Sequence, residues 1–276
     1  MIGLLTEISN RIASRWIVSV LLPGALLLLL GGCGIVLGHA QALDLDALVT
    51  AVERAVSRRR GQPVRWVVEV ALAVGSAGLL GVTARGLGTL LQRFWLRERH
   101  LLPARLGLRQ RRWSRYQRSL ATARRHGIES VRAYLPHRPT WMGDRLRLVE
   151  ARIQAQYRIS ATLVWPRVWL LTGDEVHAPV GNARGRFDAA AVLGGWSVLY
   201  LLLGAGWWPG AVIGGALMFV AVRRARVALD ELALLVESAI DLHWRDLASA
   251  LGVPVAGGTP SPEEAALIDD RLHKGG

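Results

Sequence analysis

The sequence predicts an all-α membrane protein with four spans, and three observations predict it. Hydrophobic residues make up 51 % of the 276 residues and are concentrated in long runs with almost no charge. Gly204, Gly206, Pro209 and Gly210 mark a tight turn between the last two runs. A stretch rich in arginine, residues 93–186, divides the runs into two pairs. Such segregation of apolar and charged residues is typical of membrane proteins rather than of soluble globules.

The first pair of spans is predicted within residues 1–92, behind an amphipathic segment at residues 1–15. Residues 16–38 carry no charge over 23 positions, which is enough to cross a hydrocarbon layer of about 30 Å. The second span is predicted at residues 66–87. Between the two spans, Leu45, Leu48, Val49, Val52 and Val56 fall on one helical face, and Arg58, Arg59 and Arg60 follow. This connection is assigned to the outside of the membrane, because the opposite topology would export the arginine-rich segment.

The second pair of spans is predicted as a helical hairpin at residues 188–222. The third span covers residues 188–206, and the fourth covers residues 207–222, with 16 residues before Arg223. Trp207 and Trp208 lie in the turn and are expected at the membrane interface. Gly210 and Gly214 match the spacing of small residues at contacts between membrane helices.

The segment between the two pairs, residues 93–187, is predicted to be a basic cytoplasmic domain. Residues 93–186 hold 20 Arg against 6 acids, a net charge of +14 that exceeds the +13 of the whole chain. Its first part is expected to bind anionic lipid headgroups or an anionic partner, with nucleic acid as the alternative ligand. The candidate binding residues are Arg93, Arg97, Arg99, Arg105, Arg109, Arg111, Arg112, Arg115 and Arg118.

The second part of this domain and the C-terminal region are predicted to be helical. Thr140 is a candidate N-cap of a helix over residues 141–159, with Leu146, Val149, Ile153 and Tyr157 on one face. A cytoplasmic helix is predicted at residues 223–252, continuing the fourth span. Its apolar face holds Leu229, Leu232, Val236, Ile240, His243 and Leu247, and an acidic stripe of Asp230, Glu237 and Asp241 lies beside it. We expect this helix to lie against the basic segment of the same chain. Residues 253–276 are predicted to be a tail with a short helix at residues 262–272.

Two sets of residues resemble a known group of proteins. The motif positions are Thr140, Gly143, Arg147, Glu150, Trp165, Pro166, Arg167, Trp169, Glu237, Asp241 and His243. They resemble uncharacterised multipass membrane proteins of high-GC, actinobacterial-type bacteria over residues 139–251. Asp144 stands where the group has Asn, and Arg158, Ile159 and Ser160 stand where it has Gly, Leu and Asp. The resemblance implies a multipass membrane protein and brings no activity or role for the motif with it.

The sequence carries no catalytic motif. It has no HExxH, CxxC, GxSxG or Walker-type sequence, and Cys33, its single cysteine, excludes an intrachain disulfide. Glu237 and Asp241 share a helical face, but His243 does not join them, so no metal or cofactor is expected. The sequence therefore predicts a non-enzymatic scaffold or partner-binding protein of the bacterial inner membrane, with both termini cytoplasmic. An oligomeric pore or channel is the alternative, and homo-oligomers fit either.

The predicted topology can be tested with reporter fusions. Reporters fused after Arg125 and after Gly276 should report the cytoplasm, and one fused after Asp46 should report the outside, because of the charge asymmetry around the apolar runs. Alkaline phosphatase and green fluorescent protein fusions give complementary readouts at each site. An outside signal at Arg125 would exclude the proposed orientation.

Overall fold

The protein is all-helical, as the sequence predicts. The structure, a computed structural model, describes residues 21–59, 63–97, 140–255 and 257–273. Within these ranges there are eight helices and no strand. The helices are α1 Leu22–Leu37, α2 Leu45–Arg59, α3 Pro63–Trp95, α4 Trp141–Tyr157, α5 Ala161–Leu171, α6 Asp174–Leu203, α7 Trp208–Ala250 and α8 Pro262–His273.

The chain divides into two compact units. Unit 1 comprises Met1–Gln92 and Asp188–Arg223, and unit 2 comprises Arg93–Phe187 and Arg224–Gly276. Of the described helices, α1 and α2 belong to unit 1, whereas α4, α5 and α8 belong to unit 2. The helices α3, α6 and α7 contribute residues to both.

Two of the described helices are long and apolar enough to cross a membrane. They are α3, over Val64–Trp95, and α6, over Asp174–Leu203. Only 17 % of the apolar window of α3 is buried by the rest of the chain, against 44 % for α6. The core helix of a soluble protein hides its apolar side chains, so the exposure of α3 distinguishes it from one.

The other two predicted spans do not reach this length in the described residues. Helix α1 is apolar but has 16 residues, and residues 1–20 lie outside the described ranges. The predicted fourth span is the first part of α7, which runs without a break to Ala250 and does not qualify as a candidate span. The arginines at 223 and 224 limit the apolar part of α7. The four-span topology therefore stays a prediction.

Small residues let the helices of unit 1 approach closely. A Cβ on Gly195 of α6 would overlap the carbonyl oxygen of Ala84 on α3, and one on Gly88 would lie 2.9 Å from the carbonyl oxygen of Ala191. Ala84 and Gly88 are four residues apart, as are Ala191 and Gly195, so one small-xxx-small pair faces another. In the same way, Gly24 of α1 faces the backbone of Ala77.

The turn between α6 and α7 is packed against the end of α1. Trp207 is 6 % exposed, and its indole N–H donates to the carbonyl oxygen of Ala42 over 3.2 Å. A Cβ on Gly34 would lie 2.9 Å from the Trp207 Cβ, so this indole fills a gap in the protein. The ring of Trp207 is therefore buried inside unit 1, and its expected position at the membrane interface stays a prediction. Trp208 remains partly exposed.

Unit 2 has an apolar core of its own. Helices α4, α5, α7 and α8 all contribute to it, and most of the side chains are aliphatic. The main members are Val149, Ile153, Tyr157, Val164, Val168, Ile240, Trp244, Leu247, Ile268 and Leu272. Helix α8 is thus part of the folded unit, although residues 253–276 were predicted to be a tail.

Side-chain caps define the helix ends of unit 2. The Thr140 hydroxyl accepts from the amide of Gly143 over 3.1 Å, which confirms the predicted N-cap of α4. At the start of α8, the Ser261 hydroxyl accepts from the Glu264 amide, and the Glu264 carboxylate accepts from the Ser261 amide. This reciprocal pair is a capping box, and the proline at position 262 suits the first turn that follows.

Arg158 ends α4 in a left-handed conformation, with φ 59° and ψ 21°. Its amide donates to the carbonyl oxygen of Gln154. A side chain with a Cβ is strained in this region, and glycine is the common residue at this position of a helix end. The next residue, Ile159, is 1 % exposed and belongs to the core of unit 2.

Replacing Arg158 with glycine should stabilise unit 2. We expect Arg158→Gly to raise the free energy of unfolding by about 0.5–1 kcal/mol, because relief of strain exceeds the added flexibility of the unfolded chain. Chemical denaturation of the whole chain in detergent, followed by tryptophan fluorescence, measures the change. Arg158→Ala is the control, since it removes the guanidinium but keeps the Cβ. An equal gain for alanine would show that charge, not backbone strain, is responsible.

Candidate functional site

Two ion pairs join α4 to α7 inside unit 2. The Arg145 guanidinium donates to the Asp230 carboxylate, and Arg152 Nη2 donates to Glu237 Oε2 over 2.6 Å. In both pairs the partners are 85 positions apart, and the second pair lies seven positions after the first on each helix. An equal offset means that α4 and α7 run parallel in the same register, with about two helical turns between the pairs.

A third polar contact extends the row. The Tyr157 hydroxyl donates to the Asp241 carboxylate, and the Tyr157 ring contacts that of Trp244 with a centroid distance of 5.6 Å. Burial, together with this hydrogen bond, raises the pKa of Tyr157 to about 12. An unfolded tyrosine ionises near pH 10, so the stability that Tyr157 contributes is complete below that pH. It is lost as the pH rises toward about 12.

The acidic stripe of α7 is therefore occupied within the chain. Asp230, Glu237 and Asp241 all contact α4, which belongs to the arginine-rich segment. Arg145 and Arg152 supply the cations, and both lie within the predicted basic domain of residues 93–187. Of the nine candidate arginines, Arg93 and Arg97 are described, and both are exposed. The other seven lie outside the described residues: Arg99, Arg105, Arg109, Arg111, Arg112, Arg115 and Arg118.

The motif residues of α4 hold its two ends. The Thr140 hydroxyl also donates to the carbonyl oxygen of Trp95, which ties the start of α4 to the end of α3 within unit 2. Glu150 accepts from Ser160 Oγ over 3.1 Å and from Thr162 Oγ1 over 3.3 Å. Gly143 donates to the Thr140 cap, as described above. A fourth motif residue, Arg147, lies 3.9 Å from the buried carboxylate of Asp144.

The motif residues of α5 bind α8 and form an aromatic cluster. Arg167 donates to the carbonyl oxygen of Leu163 in its own helix and to that of Leu272 in α8, so its guanidinium links the two helices. Trp165 and Trp169 touch, with ring centroids 5.6 Å apart, as their spacing on a helix predicts. The His177 ring stacks on Trp169 with centroids 4.0 Å apart. Pro166 lies between the two tryptophans and is exposed.

His243 does not fill the apolar face of α7 as predicted. Trp244 occupies that position and is 4 % exposed, whereas the His243 imidazole lies beside Asp246, with Nδ1 and Oδ2 2.9 Å apart. The Trp244 indole packs there against the Tyr157 ring. In the part of the chain that the structure describes, no group of three or more His, Cys, Asp or Glu side chains is arranged to hold a metal ion.

Sequence reasoning missed the partners of the acidic stripe. Arg145, Arg152 and Tyr157 were not singled out for this role, although the seven-residue spacing of Arg145 and Arg152 matches that of Asp230 and Glu237. This match of spacing was the available signal. The structure brings nearly all motif residues into contacts that support the fold of unit 2.

The largest exposed apolar side chains of unit 2 lie at two places. Leu170 at the end of α5 is 82 % exposed, and Leu242 on α7 is 74 % exposed. Val227 and Leu234 lie on the same side of α7 as Leu242 and are also exposed. Apolar residues grouped on a surface in this way are typical of protein contacts.

Comparison of the chain with protein-family models, with curated proteins and with solved structures finds no match. Function is therefore inferred from the contacts, exposure and charge of the described residues. The resemblance of the motif positions to multipass bacterial proteins stays a prediction.

The pair Arg152–Glu237 should stabilise unit 2 more than an exposed pair does. Their side chains are 32 % and 18 % exposed, against 56 % and 42 % for Arg186 and Glu231. We expect Glu237→Gln to lower the free energy of unfolding by about 1–2 kcal/mol and Glu231→Gln by no more than about 0.5 kcal/mol. Chemical denaturation of the whole chain measures both. Equal losses would mean that Glu237 contributes no more than a solvated surface charge.

Proposed function

We propose that this chain is a non-enzymatic integral membrane protein that anchors a helical scaffold domain. Unit 1 is the anchor, and unit 2 is the domain presented to a partner. The proposed location is the bacterial inner membrane, with four spans and both termini in the cytoplasm. The observation that carries the proposal is the contrast between the exposed apolar surface of α3 and the self-contained core of unit 2.

The exposed face of α3 supports the anchor. This helix leaves a wide set of large apolar side chains uncovered: Val64, Trp66, Val67, Val68, Val70, Leu72, Val74, Leu79, Val82, Leu90 and Phe94. Exposure of so much apolar surface to water is unfavourable by about 25 cal/mol for each Å². A hydrocarbon environment removes this cost, and the backbone of a continuous helix needs no partner in lipid.

Charge placement supports the additional spans. Residues 16–38 hold no charge, so α1 with the residues before it is long enough to cross. The first part of α7 holds none before Arg223, and arginine at a helix end extends toward the aqueous boundary. The Asp188 carboxylate, at the boundary of unit 1 in the sequence, is hydrogen-bonded and accepts from Gln92 Nε2 over 2.6 Å.

The close contacts inside unit 1 favour an anchor over a pore. At Gly24, Gly88 and Gly195, the backbone of a neighbouring helix of the same chain occupies the space that a side chain would take. These small residues therefore serve packing within one copy, as is common between membrane helices. An anchor needs only this packing, whereas a pore also needs polar groups along a channel between copies.

The basic character of unit 2 indicates the chemistry of its partner. Asp230 and Glu237 of α7 are paired with Arg145 and Arg152, so these two acids do not offset the charge of the arginines of residues 93–139. We propose that these arginines bind anionic lipid headgroups. Each basic residue near an anionic surface contributes about 1 kcal/mol to the free energy of binding. Residues 93–139 directly follow α3 in the sequence, so the proposed membrane span is their neighbour in the chain.

The proposal is tested with the whole chain reconstituted in vesicles. Residues 93–139 are rich in trypsin sites, because trypsin cleaves after arginine. We expect vesicles with anionic lipid to protect these sites from added trypsin, relative to neutral vesicles, and about 0.5 M salt to remove the protection by screening. The protein should also resist alkaline extraction, and the vesicles should stay impermeable to ions.

The control variant replaces the nine candidate arginines with glutamine. Trypsin then cleaves residues 93–139 only at the arginines that remain there. The variant should show no difference between anionic and neutral vesicles. Stronger protection by duplex DNA than by anionic lipid at equal salt would make nucleic acid the ligand. Ion flux above that of empty vesicles would make the protein a pore, and loss of the protein on alkaline extraction would exclude the membrane anchor.

A further inference from the structure

Helix α2 has three chemically distinct sides. Ala47, Leu48 and Ala51 are half-buried and face the rest of unit 1. A second side is polar and exposed, with Asp46, Thr50, Glu53 and Ser57. The third side holds Leu45, Val49 and Val52, which are 72 %, 54 % and 53 % exposed. The described part of the chain therefore leaves this apolar stripe uncovered.

The surroundings of α2 are fixed by contacts at one end of unit 1. His39 Nε2 lies 3.0 Å from the carbonyl oxygen of Ala205, and the Trp207 indole binds Ala42. Residues 38–44, which lead into α2, are thus held against the turn between α6 and α7. The Asp44 carboxylate accepts from the Ala47 amide over 2.9 Å and caps the start of α2.

The apolar stripe continues the exposed apolar surface of α1. Ile35 and Val36, in the last turn of α1, are 89 % and 50 % exposed, and Leu43 in the connection is 72 % exposed. A helix that meets apolar surroundings on one side and water on another is suited to the boundary between hydrocarbon and headgroups. The same lipid that covers α1 and α3 would reach the stripe of α2.

We infer that α2 is an interfacial helix, with Leu45, Val49 and Val52 inserted into the bilayer beneath the headgroups and Asp46 and Glu53 in water. Its ligand is the lipid surface at the end of unit 1 that carries the turn between α6 and α7. The inference rests on the proposed membrane anchor. It adds a lipid contact that stabilises this end of the anchor without a further span.

Fluorescence quenching in the reconstituted whole chain tests the inference. Cys33 is the single cysteine, so Cys33→Ala gives a background for single-cysteine variants. Val49→Cys reports the stripe, Val52→Cys is a second reporter of it, and Glu53→Cys reports the polar side. Each is labelled with an environment-sensitive fluorophore, in vesicles whose lipids carry a quencher in the upper part of the acyl chain, just beneath the headgroups.

Labels at Val49 and Val52 should be quenched several-fold more than the label at Glu53. All three positions are exposed, so the substitutions leave the packing of unit 1 intact. Equal quenching at the three positions would overturn the inference. Disulfide-linked dimers through Val49→Cys, without lipid quenching, would also overturn it and would assign the stripe to a second copy of the chain.

A label on α3 separates this inference from the proposed anchor. Val74 lies within α3 and is 52 % exposed, so Val74→Cys should be quenched by a lipid quencher near the bilayer centre. Quenching at Val74 but not at Val49 would reject the interfacial role of α2 alone. Absence of quenching at Val74 would reject the anchor itself.

Discussion

The register of α4 on α7 is the constraint on which unit 2 depends. Arg145 and Arg152 meet Asp230 and Glu237 at the same offset, so a shift of one helix along the other would break both pairs. Breaking them would leave partly buried charges without a partner, which costs more than the pairs themselves contribute. Polar contacts thus select one arrangement of the helices. The apolar core, which tolerates several arrangements of similar volume, supplies most of the stability.

In unit 1 the corresponding constraint is close contact between backbones. Gly88 and Gly195 allow α3 and α6 to touch where any side chain would separate them. Within lipid the hydrophobic effect gives no preference for helix contact, so packing of this kind decides which helices associate. Spacing identified some of these positions and not others. The predicted pair Gly210 and Gly214 faces α6, and a Cβ on Gly214 would lie 2.7 Å from the Leu201 amide nitrogen, whereas a Cβ on Gly75 of α3 would meet nothing within 4 Å. Which face a glycine presents depends on the crossing of two helices, and one sequence does not specify that crossing.

Local rules of sequence were the most successful. The all-helical fold, the Thr140 cap and the Trp165–Trp169 contact all follow from spacing within one helix. The sequence was less successful at predicting which of two adjacent residues is buried. It placed His243 on the apolar face of α7, but tertiary packing buries the indole of Trp244. The capping box at Ser261 and the apolar spacing of α8 were present in the sequence. Their significance depends on a core that only the folded unit 2 provides.

Most of the motif positions support the framework of unit 2. Thr140 caps α4, Glu150 binds the start of α5, and Arg167 binds α8, so each supports the architecture of unit 2. Arg158 stands at a left-handed helix end where glycine is the natural residue, and Ser160 stands at the N-cap of α5 where Asp serves equally well. Internal contacts thus occupy most of the polar motif, whereas Leu170 and Leu242 of unit 2 remain exposed.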